Sequence, residues 1–338
     1  MKALSNADAF QVLLLQAADK GRGTRLFGES QVRARDLVPP FLIGGCFPDV
    51  YLEHPLAGDP FLDVTILYGD LKPGLRVASP AAEGYGEILD WYLAMREFYP
   101  EISCGFELDT REAELPTAAV HFQPRSHDEL ALYFCEAIGE PERGRLYARR
   151  ARGMPDGWPL SFFGLFRGRP DSPLRVCGYL DWDEHRACAA DPAHLARAFD
   201  KIGFAAYDEA MLSQVSALMA AAPKTVDFQF DLYPDGSLGE TFAIDIQFGI
   251  EQPAAVAETF SRGAGARVMG LLERWGAADD RWRLAADMAF ARALPVELDG
   301  GGYGRFALTL MPQWAKARWV AGALQPSKLY HLAHAGLL

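Results

Sequence analysis

The stretch DFQFDLYPDGSLGETFAIDIQF, residues 227–248, restricts what this chain can fold into more than any other segment. Phe228, Phe230 and Leu232 alternate with Asp227, Gln229 and Asp231 on the outgoing arm. Phe242, Ile244, Ile246 and Phe248 alternate with Thr241, Ala243, Asp245 and Gln247 on the return arm. Period-two alternation around Pro234-Asp235-Gly236 predicts a β-hairpin with one apolar and one polar face. The apolar face needs a cover of helices. The polar face goes either to water or into an enclosed cavity, and that choice governs what the protein can do.

Similar pairs recur along the chain. FLDVTILYG (61–69) turns into LRVAS (75–79), and CGFELDT (104–110) pairs with TAAVHFQP (117–124). LSFFGLFRG (160–168) turns into LRVCGYLD (174–181), and RFALTLMP (305–312) is followed by SKLYHLA (327–333) after a connection holding Trp314 and Trp319. Helical patterns separate the pairs. Ser126-His127-Asp128-Glu129 reads as a capping box ahead of the stripe Leu130, Tyr133, Phe134, Ala137. Asp191-Pro192 is a helix start and Gly203 its stop, and residues 207–220 continue in helical period. Residues 254–262, 264–275 and 279–292 carry further helices. The order is ββαα, not the βα alternation of parallel α/β folds.

An antiparallel sheet of about ten strands either stays open or closes into a barrel. The second face carries Asp63, Thr65, Arg76, Glu107, Asp109, His121, Gln123, Arg175, Cys177, Tyr179, Asp181, Asp245, Gln247, Lys328 and Tyr330. Lysine, the usual solubiliser of an exposed sheet, is scarce there. Closure also removes exposed edges. The expected fold is therefore α+β: an antiparallel barrel of about ten strands with helices outside. Residues 1–60 are expected to form an N-terminal helix and a capping segment, with the proline-rich stretch 37–60 plugging one barrel end, and 61–338 the barrel domain.

Charge narrows the partners. The net charge of −12 opposes binding to phosphate backbones, so nucleic acid is not an expected partner. The N-terminus lacks a signal-peptide pattern, and no apolar run is long enough to span a membrane, so a cytoplasmic location and a monomer or homodimer are expected. The five cysteines form no CxxC pair and the seven histidines no HExxH, so the sequence predicts reduced thiols, carries only a weak zinc signal in His331 and His334, and leaves the metal open.

The stretch ISCGFELDTREAELPTAAVHFQPRSHDEL (102–130) resembles the second repeat of the cyanobactin-type peptide prenyltransferases, and Lys328-x-Tyr330 resembles the lysine-x-tyrosine strand motif of the indole branch of the same ABBA-type prenyltransferases. The resemblance implies transfer of an allylic group, dimethylallyl or geranyl, from a prenyl diphosphate to a peptide side chain or a small aromatic or cationic acceptor. It implies Asp63 as the first-strand carboxylate and Glu107 as a second catalytic acid. Arg76, His121, Arg175, Tyr179, Lys328 and Tyr330 would hold the diphosphate. Asp227, Gln229, Asp245, Gln247 and Trp314 would meet the acceptor, Trp314 and Trp319 serving as a lid. Such chemistry needs fixed cationic donors for the leaving group, exclusion of water, and aromatic faces beside the allyl cation.

Two features depart from the pattern. Ala119 stands where the cyanobactin-type motif has a lysine, and the inner face carries many acids. Either Mg²⁺ bridges carboxylates to the diphosphate, or the acids recognise a cationic acceptor, or the donor is not a prenyl diphosphate. A different carboxylate-dependent enzyme on the same barrel, and a non-catalytic binder of basic peptides, are the other readings the residues allow. Each residue also has a plain structural alternative. Asp63 would cap a turn, Arg175 would pair with Asp181 or Asp245, and Arg167 and Arg169 would sit in a solvated loop rather than at an anion mouth.

Overall fold

A computed structural model describes residues 5–42, 47–69, 85–111, 119–124, 127–166, 172–297 and 303–337. Among these residues twelve strands run β1 Asp49–Pro55, β2 Asp63–Leu67, β3 Ser103–Leu108, β4 Ala119–Gln123, β5 Leu160–Leu165, β6 Leu174–Tyr179, β7 Asp227–Leu232, β8 Leu238–Gln247, β9 Phe290–Glu297, β10 Tyr303–Val320, β11 Ala323–Leu324 and β12 Lys328–Leu337. The ladder β10-β12-β1-β2-β3-β4-β5-β6-β7-β8 is antiparallel at every step, and β8 pairs back onto β10. Ten strands thus close into a barrel, as the inner-face composition led us to expect. β9 and β11 pair with β10 outside the ring.

The helices lie around the barrel because the alternation leaves every second residue apolar and outward. Phe228, Phe230, Phe242 and Ile244 are fully or almost fully buried. Phe230 and Phe242 pack with Phe199 and Phe204 from the helix Pro192–Ile202 and the turn after it, the rings of Phe199 and Phe242 lying 4.9 Å apart. Each such phenylalanine contributes roughly 1.5–3 kcal/mol by leaving water. That helix is held at both ends as its sequence predicts. The Asp191 carboxylate accepts from the Ala193 N–H, Pro192 opens the first turn, and Gly203 closes it at φ 79°. Gly178 is required by close approach: a Cβ there would lie 2.0 Å from the Pro159 carbonyl oxygen. No helix among the described residues is long and apolar enough to cross a membrane.

Four expectations need correction. Residues 49–55, read as part of an end plug, are wall strand β1, set between β12 and β2. Their inward alternation is short and includes Pro55, which hid it. β2 consequently pairs with β1 and β3, and the expected partner 75–79, with Arg76, lies outside the described residues. The helical reading of 279–292 is too long: the helix is Arg281–Ala286 and β9 begins at Phe290. The supposed connection after 312 is strand: β10 runs on to Val320, its first part facing β9 and its last part facing β8. Trp314 and Trp319 are therefore wall residues, not a lid. Trp319 points outward, buried, and donates to Gln214 at 2.9 Å. The capping-box serine, Ser126, lies outside the described residues, and so do Arg167 and Arg169.

Candidate active site

The polar face of the opening hairpin is turned into the barrel: Asp227, Gln229 and Asp245 are 8%, 7% and 6% exposed. The lumen holds two cavities, of about 430 Å³ and 470 Å³. Glu107, Gln229, Lys316 and Tyr330 line both and form the belt between them.

The first cavity is cationic. Arg111, Arg175, Lys316, Arg318 and Lys328 border it, with Phe61, Asp231 and Tyr330. Strand register explains the clustering. Lys316 on β10 faces Lys328 on β12, and Arg175 on β6 faces Asp231 on β7. Like charges directly opposite each other destabilise a sheet, so each lysine is balanced from the adjoining strand. Lys328 Nζ lies 2.8 Å from Asp63 and 3.4 Å from Glu53, and Lys316 Nζ lies 3.6 Å from Asp245. Glu53 and Asp63 are themselves opposite one another across β1 and β2. Two buried carboxylates thus share one ammonium. Burial, and then Glu53, push the Asp63 carboxyl up to about 7 although Lys328 opposes the rise. Partial desolvation, and then the Arg175 charge, lower the Arg318 guanidinium from its ordinary value, although its side chain reaches solvent at the cavity wall.

The second cavity is acidic and aromatic. Asp49, Glu53, Glu101, Asp227 and Asp245 border it together with Tyr51, Phe162, Tyr179, Trp314 and Tyr330. Asp227 and Asp245 face each other across β7 and β8. Gln247 Nε2 donates to Asp227 at 3.1 Å, Gln229 Nε2 donates to Asp245 at 2.9 Å, and Lys316 donates to Gln229 at 3.2 Å. Burial raises the Asp245 carboxyl above its usual range, against the pull of Lys316. Glu107 goes the other way. Burial works against its charge, yet His121 at 3.0 Å, Lys328 and Arg175 outweigh it and hold the carboxyl well below the ordinary range. Trp314 stacks on Tyr330, ring centres 5.1 Å apart, and Tyr51 leans on Trp314 at 4.5 Å. Burial, and then the nearby Glu53 and Asp245, raise the Tyr330 phenol well above its usual value, so it stays protonated.

The residues expected from the sequence meet here, but not as they were divided. Arg175, Lys328 and Tyr330 border the cationic cavity, and Asp227, Gln229, Asp245, Gln247 and Trp314 border the acidic one. His121 and Tyr179, expected beside a diphosphate, line the acidic cavity instead. Asp63 stands on the second strand, behind Lys328; the first strand brings two inward carboxylates, Asp49 and Glu53, and the latter accepts a hydrogen bond from Thr65. Sequence reading missed Glu53, Tyr51, Arg111, Lys316 and Arg318. A signal was present for the last two: in WAKARWV, Trp314, Lys316 and Arg318 alternate with Ala315, Ala317 and Trp319, a period-two run passed over as a connection.

No protein-family model and no curated protein matches the sequence. Solved structures do resemble the fold. The 5-dimethylallyltryptophan synthase of Streptomyces coelicolor superposes with a TM-score of 0.56 at 13% identity, covering 98% of this chain and 98% of that one. The same enzyme in complex with DMASPP and tryptophan gives 0.55 at 12% identity over 98% and 95% of the two chains. The apo form of the prenyltransferase PriB gives 0.52 at 11% identity over 97% and 96%. Identities this low carry the architecture and nothing finer, and by that measure the chain has the closed αββα barrel fold of the ABBA-type prenyltransferases.

Proposed function

We propose that the protein transfers an allylic group from a prenyl diphosphate to an acceptor that carries a positive charge, either a small aromatic molecule or a peptide side chain. The polarity of the lumen carries this reading: cations at one end, carboxylates at the other, aromatic rings on the belt between them. Arg175, Lys316, Arg318 and Lys328 are placed to hold the diphosphate as the allylic C–O bond breaks and its electron pair leaves with the phosphate oxygen. Tyr330 and Trp314 face the carbon that becomes cationic, each ring offering roughly 0.5–2 kcal/mol. The closed wall keeps water from quenching it.

The acceptor then attacks the allylic carbon, a bond forms to it, and the acceptor loses a proton. His121, hydrogen-bonded to Glu107 and facing the acidic cavity, is placed to take that proton. Glu53, next to Tyr330 in register, positions the acceptor from the first strand. The paired Asp227 and Asp245 explain why the acidic end exists: two facing carboxylates suit an ammonium or guanidinium group. Of the nearby carboxylates, Asp231 lies 3.6 Å from Arg175 and Asp63 2.8 Å from Lys328, while Asp59 at the cavity rim is the one that could meet Mg²⁺; no step here runs through a metal.

The test is to incubate the protein with dimethylallyl or geranyl diphosphate and with tryptophan or tryptophan- and arginine-containing peptides, with and without chelator. A mass gain of one prenyl unit, lost in Glu53→Gln, is expected. No gain with any pair, together with no calorimetric binding of pyrophosphate, overturns the reading.

A further inference from the structure

Outside the lumen, two consecutive helices, Trp182–Ala190 and Pro192–Ile202, bring three different donor groups together. Glu184 and Cys188 lie one turn apart on the first helix, hence on one face. Asp191 ends that helix and caps the next, so the chain reverses and returns His194 to the same face. Cys188 Sγ lies 3.7 Å from Glu184 Oε1, and His194 Nε2 lies 3.0 Å from Glu184 Oε2. All three donor atoms are within 4.8 Å of one another. None of these residues borders either lumen cavity.

We propose that Glu184, Cys188 and His194 form a binding site for a zinc-class divalent cation, with water as the fourth ligand. Metal–sulfur and metal–nitrogen bonds of about 2.3 and 2.0–2.1 Å in a tetrahedron place the ligand atoms roughly 3.3–3.6 Å apart. The two separations to Glu184, 3.0 and 3.7 Å, bracket that range, and the third lies within 4.8 Å, so side-chain adjustment suffices. A sulfur–imidazole–carboxylate set selects zinc or cobalt over magnesium or calcium. Cys188 is buried, but the Glu184 and His194 side chains are 18% and 33% exposed, which leaves a path for the ion and room for the water. Trp158 Nε1 donates to Glu184 Oε1 at 2.8 Å and steadies the carboxylate from behind, the part an outer partner plays for a ligating group. On binding, Cys188 releases its thiol proton to solvent and forms the metal–sulfur bond, while His194 binds through its neutral ring. The ion would tie both helices to the Trp158 loop. The plain alternative is a carboxylate–imidazole pair that fastens the helices without metal, with the Cys188 thiol donating a weak hydrogen bond to Glu184.

The experiment uses the full chain, stripped with chelator, kept reduced, and titrated with Co²⁺ as the probe. Expected are one equivalent bound, a sulfur-to-cobalt charge-transfer absorption in the near ultraviolet, displacement by Zn²⁺, and a melting temperature several degrees higher with metal. Cys188→Ser should remove the charge-transfer band. His194→Ala should weaken binding at least tenfold. His127→Ala, which breaks a surface histidine–carboxylate pair that has no sulfur, should leave both unchanged. A wild-type protein without the band, or a band that titrates with unchanged affinity in His194→Ala, overturns the proposal. Should Cys188→Ser fail to fold, the partly exposed His194 still decides it.

Discussion

Lys316 and Lys328 lie directly opposite each other across β10 and β12, two ammonium groups directed into one cavity. Neither charge is left to the other's repulsion alone, because Asp245 reaches Lys316 from the adjoining β8, and Glu53 on β1 and Asp63 on β2 reach Lys328 from the other side. An anion entering between the lysines meets cations already fixed in place, so little reorganisation is needed when a leaving group gathers charge.

Removing one of these lysines exposes how the balance is built. Lys328→Ala leaves Glu53 and Asp63, both 2% exposed, without their shared cation. We expect a loss of about 3–5 kcal/mol in urea unfolding, most of it restored in the Asp63→Asn, Lys328→Met double variant.

Arg318 behaves differently, because among the described residues it has no ion pair and its side chain is exposed at the cavity wall. Arg318→Ala should leave the unfolding midpoint nearly unchanged. It should weaken calorimetric binding of pyrophosphate roughly ten- to hundredfold, the range of a lost hydrogen bond to a charged group.

The stacked rings of Trp314 and Tyr330 should matter for turnover more than for donor binding. Trp314→Ala is expected to lower kcat by about 3- to 30-fold with pyrophosphate affinity unchanged, and Trp314→Phe to recover much of the loss. Single-turnover kinetics checks this; an equal loss in Phe and Ala variants would speak against a role for the ring face.

The acidic cavity makes its own forecast. Asp227→Asn should raise KM for tryptophan about tenfold or more, yet change it little for indole-3-propionate, which lacks the ammonium group. Equal effects on both acceptors would remove the charge-recognition argument.

Acid sensitivity should come from outside the lumen. His54 and His331 are fully buried on the outer faces of β1 and β12, ring centres 5.3 Å apart, and His331 Nε2 donates to the Ala285 carbonyl at 2.9 Å. Burial holds both rings below their ordinary value, His331 at about 4. A depressed folded value means the neutral ring is favoured, so this stability is present above about 6.5 and is lost as pH falls from there toward 4. His331→Gln should therefore show a smaller drop in melting temperature between pH 7.5 and 5 than the parent, by an amount corresponding to as much as roughly 2 kcal/mol.

The alternation of residues 227–248 was enough, by itself, to determine a hairpin with its phenylalanines on one side, and the recurrence of such pairs between helices was enough to require a layered antiparallel sheet. Asp191-Pro192 and Gly203 likewise marked a helix to the residue, because caps are local chemistry. Strand identity at 49–55 and 313–320 was harder to read, since a proline in one and a tryptophan-rich run in the other look like loop composition until neighbours supply their hydrogen bonds. The two halves of the lumen were not written locally at all. Arg175 and Tyr179 stand on one strand face, yet they border opposite cavities, because a strand rises about 3.3 Å per residue and four residues carry a side chain from one end of the barrel to the other. The register of β10 with β12 placed Lys316 opposite Lys328, closure of β8 onto β10 carried both toward Arg175, and the register of β1 with β12 and β2 set Glu53 beside Tyr330 and Asp63. Sequence sets which face each residue takes; the ladder that closes the barrel sets which residues meet, since that meeting depends on hydrogen bonds between strands far apart in the chain.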